Sequence, residues 1–127
     1  MKRTNYFEAA PTGTASDISQ NPYVRVLAVG DPKEWKQRGC SLPTDGIVFL
    51  SFYEVTQETM DHLRPGLVVS PVLSHTFDCV DLAIQLHRVG FSGEYRALAT
   101  GLPKPELIER EVRQMCSQLD FRIVEEL

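Results

Sequence analysis

The sequence predicts an α/β fold in which a parallel five-stranded sheet carries helices on both faces. Short, mostly apolar runs alternate with helical patterns in the order βαβαβαβαβ. The connections between them are only a few residues long, as in right-handed βαβ crossovers. A length of 127 residues suits one domain, which would bury roughly two-thirds of its unfolded surface.

The strands are expected at residues 23–30, 46–52, 67–73, 94–100 and 120–126. The first, YVRVLAVG, lies between Pro22 and a Gly30-Asp31-Pro32 turn. The second, GIVFLSF, is a continuous apolar run typical of a strand covered on both faces. In the third, LVVSPVL, Pro71 falls where the strand should end, because proline lacks the N–H that a central strand donates. The fourth is EYRALAT, and the fifth, DFRIVEE, alternates between apolar and polar residues.

The helices are expected at residues 31–39, 55–63, 77–90 and 103–119. The first has Asp31 as N-cap and Pro32 at its first position. The sequence RPG stops the second, and Gly90 is the expected C-cap of the third. The fourth places four apolar residues on one face: Ile108, Val112, Met115 and Leu119.

Residues 1–22 are rich in Thr, Ser, Asn and Ala and are expected to form a mobile arm. They contain no apolar run that would serve as a signal peptide or a membrane span. Residues 23–127 then make up the α/β domain, with no internal repeat and no linker after residue 23.

The charge balance argues against two classes of partner. Thirteen Lys and Arg residues against seventeen Asp and Glu give a net charge of −4. The basic residues are scattered rather than clustered, which disfavours nucleic acids and membranes.

The three cysteines, Cys40, Cys79 and Cys116, have no CxxC spacing, so neither a disulfide framework nor a zinc site is indicated. Reduced thiols in a cytoplasmic protein are the favoured interpretation.

Ligand sites in open parallel sheets lie beyond the carboxyl ends of the strands, where the strand order reverses. The sequence after the first strand, VGDPKEW, matches neither GxGxxG nor GxxxxGK[ST], which argues against a phosphate-binding loop. No GxSxG is present, which argues against a serine hydrolase. Phe52 and Tyr53 lie at the exit of the second strand and are interpreted as residues at the edge of the core. If both were exposed, they would form a surface patch for a partner.

The histidines and one cysteine are weaker candidates. His62, His75 and His87 have no metal-ligand spacing, and only His75 lies in the loop after the third strand. Cys79 begins a helix, whose amino end could lower the pKa of the thiol. A plain buried thiol is the favoured interpretation.

The stretch RPGLVVSPVLSHTFDCVDLAIQLHRVGFSGEYRALATG resembles the central part of the receiver domains of response regulators, and YVRVLAVGD resembles their first strand. The resemblance covers residues 23–126 in coarse pattern. It implies a flavodoxin-like three-layer α/β/α sandwich with strand order 2-1-3-4-5. Receivers have a fifth helix after the fifth strand, which we expect to be missing here. Either the arm or a second copy of the chain would then cover the sheet face left open.

The residues that carry a receiver's chemistry are largely replaced. By this resemblance the phosphoacceptor aspartate falls on Pro71, and the paired acids that hold magnesium fall on Gly30 and Asp31. The hydroxyl residue falls on Ala99 or Thr100, depending on register, and the lysine falls near Glu125. Phosphoryl transfer needs the nucleophile, the cation and the lysine together. The resemblance therefore implies a protein that is not phosphorylated, is not an enzyme and needs no cofactor.

Two neighbours of these positions do not restore the chemistry. Ser70 precedes Pro71, but alternation along the strand points its side chain to the other face. Asp31 without a second acid is better interpreted as a helix N-cap than as a metal ligand.

Three functions remain open at this point. The first is a pseudo-receiver that acts in signalling through a protein partner or as a homodimer. The second is a small-molecule or nucleotide site at the carboxyl ends of strands 1 and 3, lined by Asp31, His75 and Thr100. The third, an enzyme using Cys79 or His75, lacks a base, an orienting group and an oxyanion donor. The resemblance also implies a phosphoacceptor pocket that has lost its chemistry, made of Gly30, Asp31, Pro71, Thr100 and Glu125. Possible contacts with a ligand or a partner are Phe52, Tyr53 and His75.

Overall fold

The computed structural model describes residues 26–37 and 46–126. The strands are β1 (Val26–Val29), β2 (Ile47–Leu50), β3 (Leu67–Pro71), β4 (Glu94–Leu98) and β5 (Asp120–Val124). The helices are α1 (Pro32–Gln37), α2 (Gln57–Leu63), α3 (Cys79–Arg88) and α4 (Pro105–Met115), with a 3-10 turn at Phe52–Glu54. All strand pairs are parallel and the order is β2-β1-β3-β4-β5, which confirms the predicted fold.

Several expectations lie outside the described residues. They concern the arm over residues 1–22, the start of the first strand at residues 23–25, the end of the first helix at residues 38–39, and Cys40. None of the helices in the described part of the chain is long and apolar enough to span a membrane.

The two faces of the sheet carry separate cores. On one face, buried residues of all five strands pack against α2, α3 and α4. Its largest fully buried side chains are Tyr95 and Phe121, whose ring centroids are 5.1 Å apart. On the opposite face, Trp35 of α1 packs against Ala28, Val69 and Leu98. The described helices and the sheet therefore form three layers.

The face that carries α1 changes character across the sheet. Its apolar part includes half-buried residues of β1, β2 and β3 around Trp35. Toward β5 it becomes charged, because Arg96 bonds to Glu94 at 3.0 Å and to Asp120 at 3.4 Å. This side of the sheet is therefore charged around Arg96, whereas cover by the arm or a second copy stays a prediction.

The helix ends follow from local sequence. Thr56 caps α2 by accepting a hydrogen bond from the Thr59 N–H, and Asp78 with Asp81 forms a capping box at α3. Gly90 follows the C-cap of α3 with φ +82°. Its N–H donates to the carbonyl of His87, and the next N–H donates to that of Leu86. This is the Schellman arrangement, which explains the glycine.

Several elements end earlier than expected. β2, β3, β4 and β5 each end two residues early, at Leu50, Pro71, Leu98 and Val124, where the backbone leaves the sheet at its carboxyl edge. α4 ends at Met115, whose side chain is exposed. Leu119 still reaches the core, but from the turn after the helix. Because Leu119 packs into the same core as α4, the apolar spacing of the helix continues in the sequence after the helix has ended.

We expect Phe121→Ala to lower the free energy of unfolding by about 3–5 kcal/mol, because it empties a fully buried site between Tyr95 and α4. Arg122→Ala is the matched control, since its side chain lies exposed on the other face; its effect should stay within about 0.5 kcal/mol. Urea unfolding followed by circular dichroism measures both. Equal effects would contradict the assignment of faces in β5.

Candidate functional site

A cleft of about 440 Å³ opens at the carboxyl ends of β1, β2 and β3. Its walls come from the start of α1, the 3-10 turn after β2 and the loop after β3. β1 lies between β2 and β3, so the strand order reverses here, which is where a site is expected in such sheets. The lining residues used below are Gly30, Asp31, Glu34, Phe49, Phe52, Glu54 and His75.

Three carboxylates line the cleft, and each holds part of its wall. Asp31 Oδ1 accepts a hydrogen bond from the Lys33 N–H at 2.9 Å, so Asp31 caps α1 as expected. Glu34 is buried, and its Oε1 accepts from Ser74 Oγ at 2.8 Å, which ties α1 to the loop after β3. Glu54 Oε1 accepts from the Ser51 N–H at 2.9 Å and closes the 3-10 turn.

The cleft wall contains several acidic side chains. Among the described residues that line it, none is Lys or Arg. The described chain also contains no group of three or more His, Cys, Asp and Glu residues arranged to hold a metal ion. The charged groups that the described lining does supply include three carboxylates.

The position of Pro71 explains how the sheet tolerates it. Val72 donates its N–H to the Leu98 carbonyl of β4 at 2.8 Å. Consecutive N–H groups of a strand point to opposite edges, so the nitrogen of Pro71 faces β1. The pairing of β3 with β1 ends before Pro71, at Val69. The missing donor therefore breaks no pair, and the buried ring closes the end of the sheet.

Gly30 is required by this packing. Its φ is +133°, a backbone conformation that L-residues rarely adopt. A Cβ on Gly30 would lie 3.3 Å from Trp35 Nε1 and 3.8 Å from Pro71 Cδ. The buried indole N–H of Trp35 has no hydrogen-bond acceptor within the described part of the chain. An acidic side chain at position 30 would therefore be strained and would displace the indole.

Ser70 and Tyr95 form a buried polar link on the other face of the sheet. Ser70 Oγ donates to the Pro71 carbonyl at 2.9 Å and shares a hydrogen bond with the Tyr95 hydroxyl. Burial raises the pKa of Tyr95 well above its usual value, although the bond with Ser70 opposes the shift. Ser70 thus points away from the cleft, as alternation predicts.

The remaining predicted site residues divide into two groups. Phe52 and His75 line the cleft, and the Tyr53 ring meets that of Phe52 edge-on with centroids 5.5 Å apart. Tyr53 is 74% exposed whereas Phe52 is half-buried, so only one ring of the pair is exposed. Thr100 and Glu125 follow β4 and β5, are exposed, and are not part of the cleft wall. Both strands lie on the far side of β3 from β1.

Sequence reasoning missed three wall residues: Glu34, Phe49 and Glu54. The motif SFYE matches the capping-box pattern, in which the first Ser and the last Glu close a turn, and it could have located Glu54. Glu34 lies within the expected first helix, but nothing in the sequence pairs it with Ser74, forty residues away.

Cys79 is not an activated thiol. It is the first residue of α3 and is buried. Burial, followed by the charge of Asp78, raises its pKa to about 11, against an opposing contribution from backbone hydrogen bonds. The thiol is therefore protonated near neutral pH, and the alternative of a lowered pKa is wrong.

No protein-family model, curated protein or solved structure matches this chain. The strand order is consistent with a flavodoxin-like fold, and the resemblance to receivers stays a prediction from the sequence.

We expect Gly30→Ala to lower the free energy of unfolding by about 2–3 kcal/mol, because the new methyl group meets the indole at a strained φ. Gly101→Ala is the matched control, since Gly101 also has a positive φ but nothing lies within 4 Å of the added Cβ. Its cost should be about 1 kcal/mol. Thermal and urea unfolding measure the difference, and equal costs would contradict the packing role of Gly30.

The raised pKa of Cys79 predicts a loss of stability in alkali. The unfolded thiol, with a pKa near 9.0, ionises before the folded one at about 11, so the stabilisation is complete below pH 9 and is lost between pH 9 and 11. The loss should be about 2 kcal/mol. In Cys79→Ala, unfolding free energies measured across this window should fall correspondingly less than in the parent protein. Parallel pH profiles would contradict a raised pKa.

Proposed function

We propose that this chain is a receiver-like module that works without aspartyl phosphorylation. It acts in signalling or regulation through contacts with a protein partner or a second copy. The observation that supports the proposal is the end of β3, where the buried Pro71 stands at the position that the resemblance assigns to the phosphoacceptor aspartate.

The surroundings of Pro71 support this proposal. Phosphoryl transfer to a receiver needs a nucleophilic carboxylate, acids that hold a cation, and a basic side chain that neutralises the phosphoryl oxygens. Pro71 supplies no nucleophile, and the positive φ of Gly30 together with the nearby Trp35 indole disfavours an acid at that position. Asp31 caps α1, and Glu125 after β5 has the opposite charge to a lysine.

The other carboxylates of the cleft are poor substitutes for a phosphoacceptor aspartate. Glu34 and Glu54 already accept hydrogen bonds from Ser74 and from the Ser51 N–H. A phosphoryl donor is an anion, and it would meet three carboxylates with no lining Lys or Arg in the described residues. The charge of the cleft therefore repels such a donor.

A small-molecule site in the same cleft is the second candidate. A cavity of about 440 Å³ lies within the usual range for ligand pockets. The carboxylates disfavour nucleotides and other anions, so a neutral or cationic molecule is the compatible class. Thermal stabilisation by such a molecule, with none by nucleotides, would favour this candidate.

For the compartment we propose the cytoplasm. Cys79 and Cys116 are buried thiols without a disulfide partner in the described chain, and reducing compartments preserve such thiols.

We expect no phosphorylation or beryllofluoride adduct when the chain is incubated with Mg²⁺ and either acetyl phosphate or beryllofluoride. Intact-mass spectrometry detects a phosphoryl group, and fluorine NMR detects bound beryllofluoride. An active receiver domain treated in parallel shows that the reagents work. A stoichiometric adduct on the chain would overturn the proposal.

Pro71→Asp extends the test. We expect this variant to remain unmodified, because the second acid and the basic residue are still absent and Gly30 cannot be replaced without strain. Thermal unfolding first establishes that the variant folds. Rapid phosphorylation of Pro71→Asp would contradict our account of the site, because it would show that the proline by itself prevents phosphorylation of the chain.

A further inference from the structure

We infer that Glu109 of α4 blocks the open edge of β5 against a second copy of the chain. Its carboxylate occupies a backbone N–H through which a second copy would extend the sheet. This inference goes beyond the proposed function, because it concerns an edge strand that β4 separates from the three strands ending at the cleft. Three observations support it.

The open edge of β5 follows from the pairing of the sheet. β5 is the last strand in the order of the described sheet, and its neighbour there is β4. The N–H of Asp120 donates to the Gly93 carbonyl, on the β4 side, at 3.0 Å. The main-chain groups of successive residues point to opposite edges of a strand, so those of Phe121 and Ile123 point away from β4. An added strand would pair with these groups.

The first observation is a bond between Glu109 and this edge. Glu109 Oε2 accepts a hydrogen bond from the Ile123 N–H at 2.8 Å, although the two residues belong to different elements. The side chain of Glu109 is only 19% exposed. A hydrogen bond to an ionised acceptor is stronger than one between neutral groups. An added strand would have to break this bond before its own carbonyl could pair with Ile123.

The second observation is that α4 itself holds the carboxylate in place. α4 packs on the core side of β5, where Val112 and Phe121 are both buried. Arg113 lies one turn after Glu109, with its Nη2 3.9 Å from Glu109 Oε1. An acidic residue four positions before a basic one is the favourable order on a helix. The blocking carboxylate is therefore positioned by the helix that covers β5, before any partner is present.

The third observation is the charge that two copies would bring together. A closed dimer has a two-fold axis, which makes two paired edge strands antiparallel. Full overlap of Asp120–Val124 with its copy pairs Phe121 with Ile123 and places the two Arg122 residues opposite each other. Arg122 is exposed and falls in the pair whose side chains approach most closely. Like charges directly opposite destabilise a sheet, so Arg122 opposes the same pairing independently of Glu109.

The composition of β5 explains why its edge needs a block. Phe121, Ile123 and Val124 are all residues that favour strands. Unpaired N–H and C=O groups along such a strand are a template for pairing with another chain. The bond from Glu109 removes one of these donors. Contacts with a second copy or a partner are therefore directed to surfaces other than the edge of β5.

Glu109→Ala opens the edge, and Glu111→Ala is its matched control. Both changes remove one negative charge from α4, but Glu111 is exposed and Glu109 is the residue that bonds to Ile123. Sedimentation velocity on the full chain should show that Glu109→Ala dimerises about tenfold more tightly than the parent, the factor that one hydrogen bond supplies. Glu111→Ala should match the parent. Equal self-association of the two variants, or none in Glu109→Ala, would overturn the inference, and thermal unfolding establishes that both variants fold.

Amide hydrogen exchange locates the surface. At low concentration the Ile123 N–H should exchange about tenfold faster in Glu109→Ala than in the parent, because its acceptor is gone. Glu111→Ala should leave this rate unchanged. Raising the concentration of Glu109→Ala should slow exchange again at Phe121 and Ile123, since a second strand then bonds to them. Protection that appears instead at Phe49, in the edge strand β2, would overturn the inference.

Two further variants separate the bond from the charges. Glu109→Gln keeps an oxygen that accepts from Ile123, so it should self-associate no more than the parent does. Arg122→Ala should also behave as the parent, because Glu109 still occupies the edge, and its addition to Glu109→Ala should tighten the dimer about threefold. If Arg122→Ala alone dimerised as tightly as Glu109→Ala, Glu109 would not be the block.

Discussion

The packing of Trp35 and Pro71 beside Gly30 is the constraint on which the carboxyl edge of the sheet depends. The pairing of β1 with β3 ends at Val69, so Pro71 lies beyond it. Because Gly30 has no side chain, the indole of α1 can lie close to this end of the sheet. This packing seats the first helix against the sheet, and Gly30 itself lines the cleft.

The carboxylates of the cleft combine a structural and an electrostatic role. Asp31 begins α1, Glu34 ties that helix to the loop after β3, and Glu54 closes the turn after β2. The same three groups are the carboxylates of the described lining, which contains no Lys or Arg. The hydrogen bonds that build the wall therefore also fix where its carboxylates stand.

The strand order and the local turns could be predicted because they depend on short-range signals. Apolar runs locate the strands, and Asp31 and Gly90 mark helix ends through their own backbone preferences. The cleft wall could not be predicted in full. The bond between Glu34 and Ser74 joins distant segments, and it depends on how far α1 and β3 extend. Thr100 and Glu125 lie outside the described cleft wall, and strand order alone does not say which strand ends share a wall.

The position of Trp35 also has an optical consequence. The chain carries one tryptophan, and its indole is buried beside Gly30, with no acceptor for its N–H among the residues that the structure describes. Indole emission depends on the polarity and hydrogen bonding of its surroundings, and here a single chromophore sits behind the wall of the cleft. The protein therefore contains an intrinsic fluorophore that reports on its candidate site without any label.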